Sequence, residues 1–187
     1  MSTRRHTLFP RHRRWRMLAA MTDTAPLELH RETVLPEWID YNGHMNVAYY
    51  LLAFDHATDT VLDHFGVGRA YAESGAGSMF VVEAHLSYLR EVTQGDRLRF
   101  ASRILGADAK RVHLFHAMHH ADEGFLAATA EFMLLHVDLA DRRSAPIPEG
   151  PRAALAAAAA ADAALPRPPR SGRGIAMRPP AAVPPAR

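Results

Sequence analysis

Hydrophobic positions along residues 47–65 recur every three or four residues, which is the spacing of one face of an α-helix. The positions that share this face are Val47, Tyr50, Leu51, Phe54, Thr58, Val61, Leu62 and Phe65. Asn46 precedes this run as a favourable N-cap residue, and Gly66 follows it as a favourable stop. The pattern predicts a long helix with one buried face.

Runs of alternating hydrophobic and polar residues before and after this helix predict β-strands. These runs are residues 27–35, 78–90, 97–105, 111–120 and 125–138. The last run is the longest and most apolar, so we expect an inner position for it. One strand, one helix and four further strands indicate an α+β fold in which an antiparallel sheet buries one face against the helix. One helix cannot cover the whole sheet, and the remaining apolar surface favours a homodimer or a homotetramer.

Charge separates the two ends of the chain from its middle. Residues 1–20 contain six arginines and no acid, and residues 151–187 contain six arginines and one acid. Removing these from the totals of 22 basic and 20 acidic side chains leaves 10 basic and 19 acidic ones in residues 21–150. The high pI of about 9.3 therefore comes from the ends, and no nucleic-acid partner is expected.

These compositions also suggest the domain boundaries. We expect residues 1–24 to be a disordered basic leader and residues 25–150 to be the folded domain. We expect residues 151–187, which are rich in Ala, Pro and Arg, to be a disordered tail with at most one marginal helix.

Several classes of site are excluded or disfavoured by residue type. The chain has no cysteine, which excludes disulfides, zinc–thiolate sites and a thiol nucleophile, and fits a cytoplasmic protein. No uncharged apolar run approaches about 18 residues, so no membrane span is expected. The histidines at 113, 116, 119 and 120 alternate between the two faces of a strand, so we expect no metal site there. No phosphate-binding Gly-rich loop occurs, and no cofactor is expected.

A carboxylate, an imidazole and an amide lie just before the predicted helix, at Asp40, His44 and Asn46. Between them, Asn42-Gly43 is a turn-forming dipeptide. The start of a helix offers free N–H groups and partial positive charge, which can stabilise an oxyanion. Asp40 could act as a general base or nucleophile beside it, or could simply cap the turn.

The pattern Asp-x-x-Gly-His-x-Asn-x-x-x-Tyr, at Asp40, Gly43, His44, Asn46 and Tyr50, resembles the hotdog-fold acyl-CoA thioesterases of the 4-hydroxybenzoyl-CoA thioesterase-like superfamily. The resemblance extends to about residue 148. It implies a five- to six-stranded antiparallel sheet wrapped around one long central helix. It also implies hydrolysis of a small or medium acyl-CoA to the free acid and CoA.

The resemblance assigns roles to polar residues near the helix. The candidate catalytic residues are Asp40, His44, Asn46 and Asp55. Asp40 corresponds to the catalytic carboxylate, and the amides of Val47 and Ala48 would hold the oxyanion. Asp55 matches an acidic helix position that some hotdog thioesterases use from the partner subunit. His44 would orient Asp40, contact the thioester or hydrogen-bond the loop, and Asn46 is sufficiently explained as an N-cap.

A second group of residues is expected to bind the substrate: Trp38, Gly43, Val47, Tyr49 and Glu83. The two aromatic residues could accept an aryl group or a quaternary ammonium by cation–π contact, or could serve only in packing. Gly43 would permit positive φ or close approach of the substrate. Glu83 could reach a site at a dimer interface, or could be a charge at a sheet edge.

The resemblance leaves the substrate and two other functions open. The chain also resembles thioesterases associated with carnitine breakdown, which makes betainyl-CoA one candidate substrate, with its nucleotide near Arg90 or Arg111. A hotdog dehydratase is one alternative, but residues 40–46 contain no proline. A non-enzymatic acyl-CoA-binding protein is the other, although no DNA-binding pattern precedes residue 27.

Overall fold

Six strands and three helices form the part of the chain that the computed structural model describes, residues 26–175. In order they are β1 (Leu27–Thr33), α1 (Val47–His64), α2 (Arg69–Glu73), β2 (Ser78–Tyr88), β3 (Arg97–Ala107), β4 (Arg111–His120), β5 (Leu126–Asp138), β6 (Arg143–Ser144) and α3 (Glu149–Ala163). A short 3-10 turn at Pro36–Trp38 joins β1 to the loop before α1. The predicted leader lies outside the described residues, as do residues 176–187.

All strand pairs are antiparallel, and the strand order is β1-β3-β4-β5-β2, with the short β6 added to β5. The long β5 has the inner position expected from its apolar composition. The sheet curls around α1, which packs on one of its faces. This confirms the predicted α+β hotdog fold, an antiparallel sheet of five to six strands wrapped around one long central helix.

Strand alternation sends every second residue of β3 and β4 toward α1. Phe54 of α1 packs edge to face on Phe100 of β3, with ring centroids 5.8 Å apart. Beside them lies His116, which is fully buried between Thr58 and Ser102. Because the Thr58 hydroxyl donates its proton to Phe54 O, it accepts from Nε2–H of His116 at 3.0 Å, and Ser102 donates to Nδ1 at 2.8 Å.

Burial lowers the pKa of His116 to about 3, so this residue remains a neutral core side chain. The other three histidines of β4 have separate partners. His113 contacts Glu131, His119 contacts the Gly124 carbonyl, and His120 lies beside Asp96. Within the described residues, these four histidines therefore serve different local contacts.

Helix α3 covers part of the opposite face of the sheet. Leu155 is fully buried and belongs to the hydrophobic core, and Asp162 is also buried. Nη2 of Arg103 in β3 donates to Oδ2 of Asp162 at 2.9 Å. The chain then continues across β5, where the Gly172 amide donates to Glu131 at 2.7 Å.

The position of α3 differs from the sequence-based expectation that the domain ends at residue 150. An alanine-rich helix gives almost no hydrophobic periodicity, so its sequence does not reveal the buried Leu155 or the partly buried Arg103–Asp162 ion pair. The sheet is thus covered on both faces in the region of β3. Among residues 26–175, no helix combines the length and the apolar character needed to cross a membrane.

Candidate active site

The loop from Trp38 to Asn46 is a closed turn that positions the polar residues before α1. The Asn46 amide donates to Trp38 O at 2.9 Å, and the Asp40 amide donates to His44 O at 3.1 Å. The Gly43 amide then closes the turn on Asp40 O at 3.0 Å, with Gly43 at φ +84°. The predicted turn is confirmed, and its positive φ gives the reason for glycine.

This turn brings the carboxylate of Asp40 to the start of α1. Its Oδ1 accepts from the Asn42 amide at 2.8 Å, as in an Asx-turn. Its Oδ2 faces Nδ2 of Asn46 at 3.5 Å, and Oδ1 of Asn46 accepts from the Ala48 amide at 3.0 Å. Asp40 is only half-buried. One carboxylate oxygen is therefore fixed by the turn, while the other is directed to the helix start and remains accessible.

The amides at the helix start are not equivalent. The Ala48 N–H is occupied by the Asn46 cap, and the Tyr49 N–H donates to Asn46 O at 3.0 Å. The Val47 N–H has no hydrogen-bond partner within residues 26–175. Both amides were expected to face a substrate carbonyl. Of the two, only the Val47 N–H is free to donate to it.

His44 does not contact the Asp40 carboxylate. Its Nε2 lies 3.8 Å from Oε2 of Glu91, a residue that the sequence analysis did not consider. The sequence gives little indication of this contact, because Glu91 lies in the segment between β2 and β3 rather than in the Asp40 motif. The His44 carbonyl accepts the turn hydrogen bond from the Asp40 amide, while its half-buried imidazole lies at the edge of the loop.

The two other acids predicted for the site, Asp55 and Glu83, lie away from the Asp40 loop of their own chain. Asp55 is exposed on α1, nine residues beyond Asn46 and thus about 13 Å farther along the helix axis. Glu83 is exposed on β2, next to the bulge between Val81 and Glu83. Within the described residues, no hydrogen bond or ion pair joins either acid to Asp40.

Two aromatic pairs flank the helix start. Trp38 and Tyr49 are stacked, with ring centroids 5.6 Å apart and an interplanar angle of 12°. Tyr50 and Tyr88 meet edge to face at 5.2 Å, and the Tyr88 hydroxyl donates to Val47 O at 3.4 Å. Trp38 and Tyr50 are buried, while Tyr49 is half-buried and Tyr88 is exposed. Tyr88 lies at the end of β2 and was missed as a neighbour of the helix start.

The two arginines considered for the CoA nucleotide both have partners in the chain. Arg90 lies over the Phe125 ring at 3.8 Å and pairs with Glu123 at 3.6 Å. Arg111 pairs with Asp108, and the Lys110 amide together with the Arg111 side chain lowers the pKa of Asp108 to about 2. Both arginines remain largely exposed.

A cavity of about 290 Å³ lies between the second half of α1, α2 and the start of β2. Its lining does not include any of the predicted catalytic or substrate-binding residues. Asp59 lines this cavity, and burial followed by repulsion from Asp55 raises its pKa. The Asp40 loop itself is open to solvent on one side, where Tyr41 and Val47 are exposed.

Comparison with solved structures supports the architecture described above. A Staphylococcus aureus protein solved in complex with CoA is 30% identical, with a TM-score of 0.75, over 82% of this chain and 98% of that one. A putative thioesterase from Pseudomonas putida is 36% identical, with a TM-score of 0.70 and the same coverage of 82% and 98%.

Comparison with known sequences gives the family. The chain is 42% identical to the betainyl-CoA thioesterase of Pseudomonas aeruginosa over 153 residues. This alignment covers 82% of this chain and 96% of that protein. It is 38% identical over 155 residues to the L-carnitine dehydrogenase/betainyl-CoA thioesterase of Rhizobium meliloti, of which it spans only 31%. Residues 34–155 match the sequence profile of the thioesterase-like superfamily. The chain therefore belongs to the thioesterase-like superfamily and is a thioester hydrolase.

Proposed function

We propose that this protein hydrolyses betainyl-CoA to betaine and CoA. The observation that carries the proposal is the 42% identity to a betainyl-CoA thioesterase across 96% of that protein's length. The aromatic pairs at the helix start provide independent support, because the betainyl group carries a trimethylammonium cation. Aromatic faces bind quaternary ammonium groups by cation–π attraction without a negative charge.

In the proposed reaction, Asp40 acts on the thioester carbonyl either through a water molecule or directly. As a general base, the accessible Oδ2 takes a proton from water while the water oxygen attacks the carbonyl carbon. As a nucleophile, the same oxygen attacks the carbon, and water then hydrolyses the resulting anhydride. In both routes the carbon–sulfur bond breaks, and CoA leaves as a thiolate that is protonated afterwards.

Charge that develops on the carbonyl oxygen needs a donor near Asp40. The Val47 N–H is the first amide of α1 and has no partner among the described residues. A free amide at a helix N-terminus combines a hydrogen-bond donor with the positive end of the helix dipole. We therefore assign the oxyanion contact to the Val47 N–H. Asn46 caps the helix and orients the Asp40 carboxylate.

The trimethylammonium group would bind at the Trp38–Tyr49 pair. These rings are stacked at 5.6 Å, and Tyr49 is half-buried, so its ring is partly accessible to a ligand. The two rings belong to residues on either side of Asp40, which places acyl recognition and the carboxylate on one loop–helix junction. The alternative substrate is another small or medium acyl-CoA, which would bind at the same junction.

We also propose that the working unit is a homodimer, with a tetramer as a further level of assembly. Strand β2 is an edge strand, and its exposed apolar side chains include Phe80, Val81 and Val82. On the first turns of α1, Val47, Leu51 and Leu52 are also exposed. An uncovered apolar edge of this kind favours pairing with a second copy. A partner on this side would close the open side of the Asp40 loop and bring Asp55 or Glu83 toward the partner's site.

Thiol release from a panel of acyl-CoA esters tests the substrate. We expect the highest kcat/KM with betainyl-CoA, and a clearly lower value with 3,3-dimethylbutyryl-CoA, which has the same shape but no charge. Acetyl-CoA and benzoyl-CoA complete the panel. If the neutral isostere is hydrolysed with the same kcat/KM as betainyl-CoA, the substrate proposal fails. Thioesterase activity on the panel would then still identify the preferred acyl group.

A further inference from the structure

Two imidazoles and a carboxylate meet on the side of the fold where β1 contacts α1. His30 and Glu32 belong to β1, and His56 belongs to α1. One ligand atom from each lies within 4.8 Å of the other two. Nδ1 of His56 is 2.9 Å from Oε1 of Glu32, and Nε2 of His30 is 3.4 Å from Oε2 of the same carboxylate.

The backbone holds these three side chains in place. His30 and Glu32 are two residues apart on a strand, so their side chains project from the same face. Their register partners on β3 are Phe100 and Leu98, both of which are buried in the core. The His30 ring packs on Phe100 with centroids 5.1 Å apart. A strand supplies two groups and a packed helix supplies the third, so the cluster does not depend on a flexible loop.

The chemistry of this set matches a known type of metal ligation. Two histidines and one glutamate can bind Zn²⁺ as three protein ligands, with a fourth position left for water. Tetrahedral ligand atoms at about 2.0–2.1 Å from zinc are about 3.4 Å from each other, which is close to the separations around Glu32. Within the described residues, the ion-pair partners of Glu32 are only these two imidazoles, and no lysine or arginine neutralises it.

We propose that His30, Glu32 and His56 form a binding site for a divalent transition metal, with Zn²⁺ as the best match. The side chains are 17%, 18% and 39% exposed, so an ion can reach them. His56 lies ten residues beyond Asn46, about 15 Å farther along α1, which separates this site from Asp40. The metal would join β1 to α1 as a structural link, and the thioesterase reaction would not pass through it.

Metal binding would replace contacts that the three residues make with one another. Glu32 accepts hydrogen bonds from both imidazoles, so an ion that binds through the same nitrogen atoms takes the place of those protons. No metal site was expected from the sequence, where the clustered histidines are those of β4. The His-x-Glu spacing at residues 30 and 32 was the available signal, but its third ligand is 24 residues away on another element.

Zinc titration of the full chain tests the proposal. The protein is first dialysed against EDTA and then titrated with ZnSO₄ in a calorimeter, and with CoCl₂ while visible absorption is recorded. We expect one equivalent of zinc that binds at this cluster, and cobalt bands typical of a nitrogen- and oxygen-ligated site. His56→Ala and Glu32→Gln should each weaken this binding at least tenfold. His64→Ala, an exposed histidine on the same helix, is the matched control and should leave it unchanged.

Glu32→Gln keeps the size of the side chain and its capacity to accept hydrogen bonds, so it decides the question if His56→Ala fails to fold. Absence of zinc binding in the wild-type chain overturns the proposal. Zinc binding with unchanged affinity in Glu32→Gln also overturns it, since the metal would then be held by other histidines.

Discussion

Asn46 connects the start of α1 to Asp40 through the two ends of one side-chain amide. Its Oδ1 accepts from the Ala48 N–H at 3.0 Å, while its Nδ2 faces Oδ2 of Asp40 at 3.5 Å. A cap residue therefore also orients the carboxylate. The same contact explains why Ala48 is not available to a substrate and why the Val47 N–H is the donor that remains.

Leu155 should contribute strongly to stability although it lies in a segment of almost pure alanine. It is fully buried, so Leu155→Ala should lower the free energy of unfolding by about 2–5 kcal/mol. Ala156→Ser, at an exposed position of the same helix, should cost roughly 0.5 kcal/mol. Urea unfolding of both variants measures the difference. A chain truncated after residue 150 should lose more stability than Leu155→Ala, and equal stability of the truncated and full chains would contradict the packing of α3.

His116 should make the protein less stable in acid. Its pKa is about 3 in the folded protein and about 6.5 when unfolded, so below pH 6.5 the unfolded chain binds a proton that the native state excludes. This proton uptake lowers the free energy of unfolding by about 1.4 kcal/mol for each pH unit between 6.5 and 3. His116→Asn should therefore show a shallower loss between pH 6.5 and 4 than the wild type. Parallel slopes for the two proteins would contradict a neutral, buried His116.

The exposed edge of β2 should be the dimer contact. Val82 is 56% exposed on this strand. Light scattering at micromolar concentration should give at least twice the chain mass of 20.7 kDa. Val82→Arg should lower the mass and the activity together, because the buried charge would have no partner. Ile175→Arg, at a position that is 98% exposed, is the control. A monomeric wild type with full activity would contradict the proposed interface.

Tyr49 should select for the charged acyl group. A cation–π contact of about 0.5–2 kcal/mol corresponds to a loss of roughly 2- to 30-fold in kcat/KM when the ring is removed. Tyr49→Leu should therefore lose this factor with betainyl-CoA and much less with 3,3-dimethylbutyryl-CoA. Tyr49→Phe keeps the ring and should retain the preference. Equal losses with both substrates would assign Tyr49 to packing.

The elements near the site could be predicted because their signals are local. The spacing of apolar residues gave α1, and Asn42-Gly43 gave the turn that positions Asp40. The contacts that were missed join distant residues. Arg103 and Asp162 are 59 positions apart, and the two ends of such a pair carry no common sequence pattern. Whether they meet depends on strand register and helix packing, which single-residue preferences do not determine.

The same limit applies to the candidate site. Asp40 and Asn46 fall within one turn, so their proximity follows from local geometry. Orienting Asp40 was one of three roles left open for His44, and its imidazole lies beside Glu91 rather than beside the Asp40 carboxylate. Residues a few positions apart in a closed turn can point their side chains in different directions, so sequence proximity alone does not assign a partner.

Asp40→Asn, assayed for turnover beside Asp55→Asn, tests the central claim most directly. The amide keeps the size of Asp40 and can still accept from the Asn42 N–H, so the melting temperature should change little. It removes the charge and the basicity, so kcat should fall by roughly 10²–10⁴. Asp55→Asn should retain most of the activity. Near-wild-type turnover of Asp40→Asn, together with an inactive Asp55→Asn, would contradict the account and assign the chemistry to the helix acid.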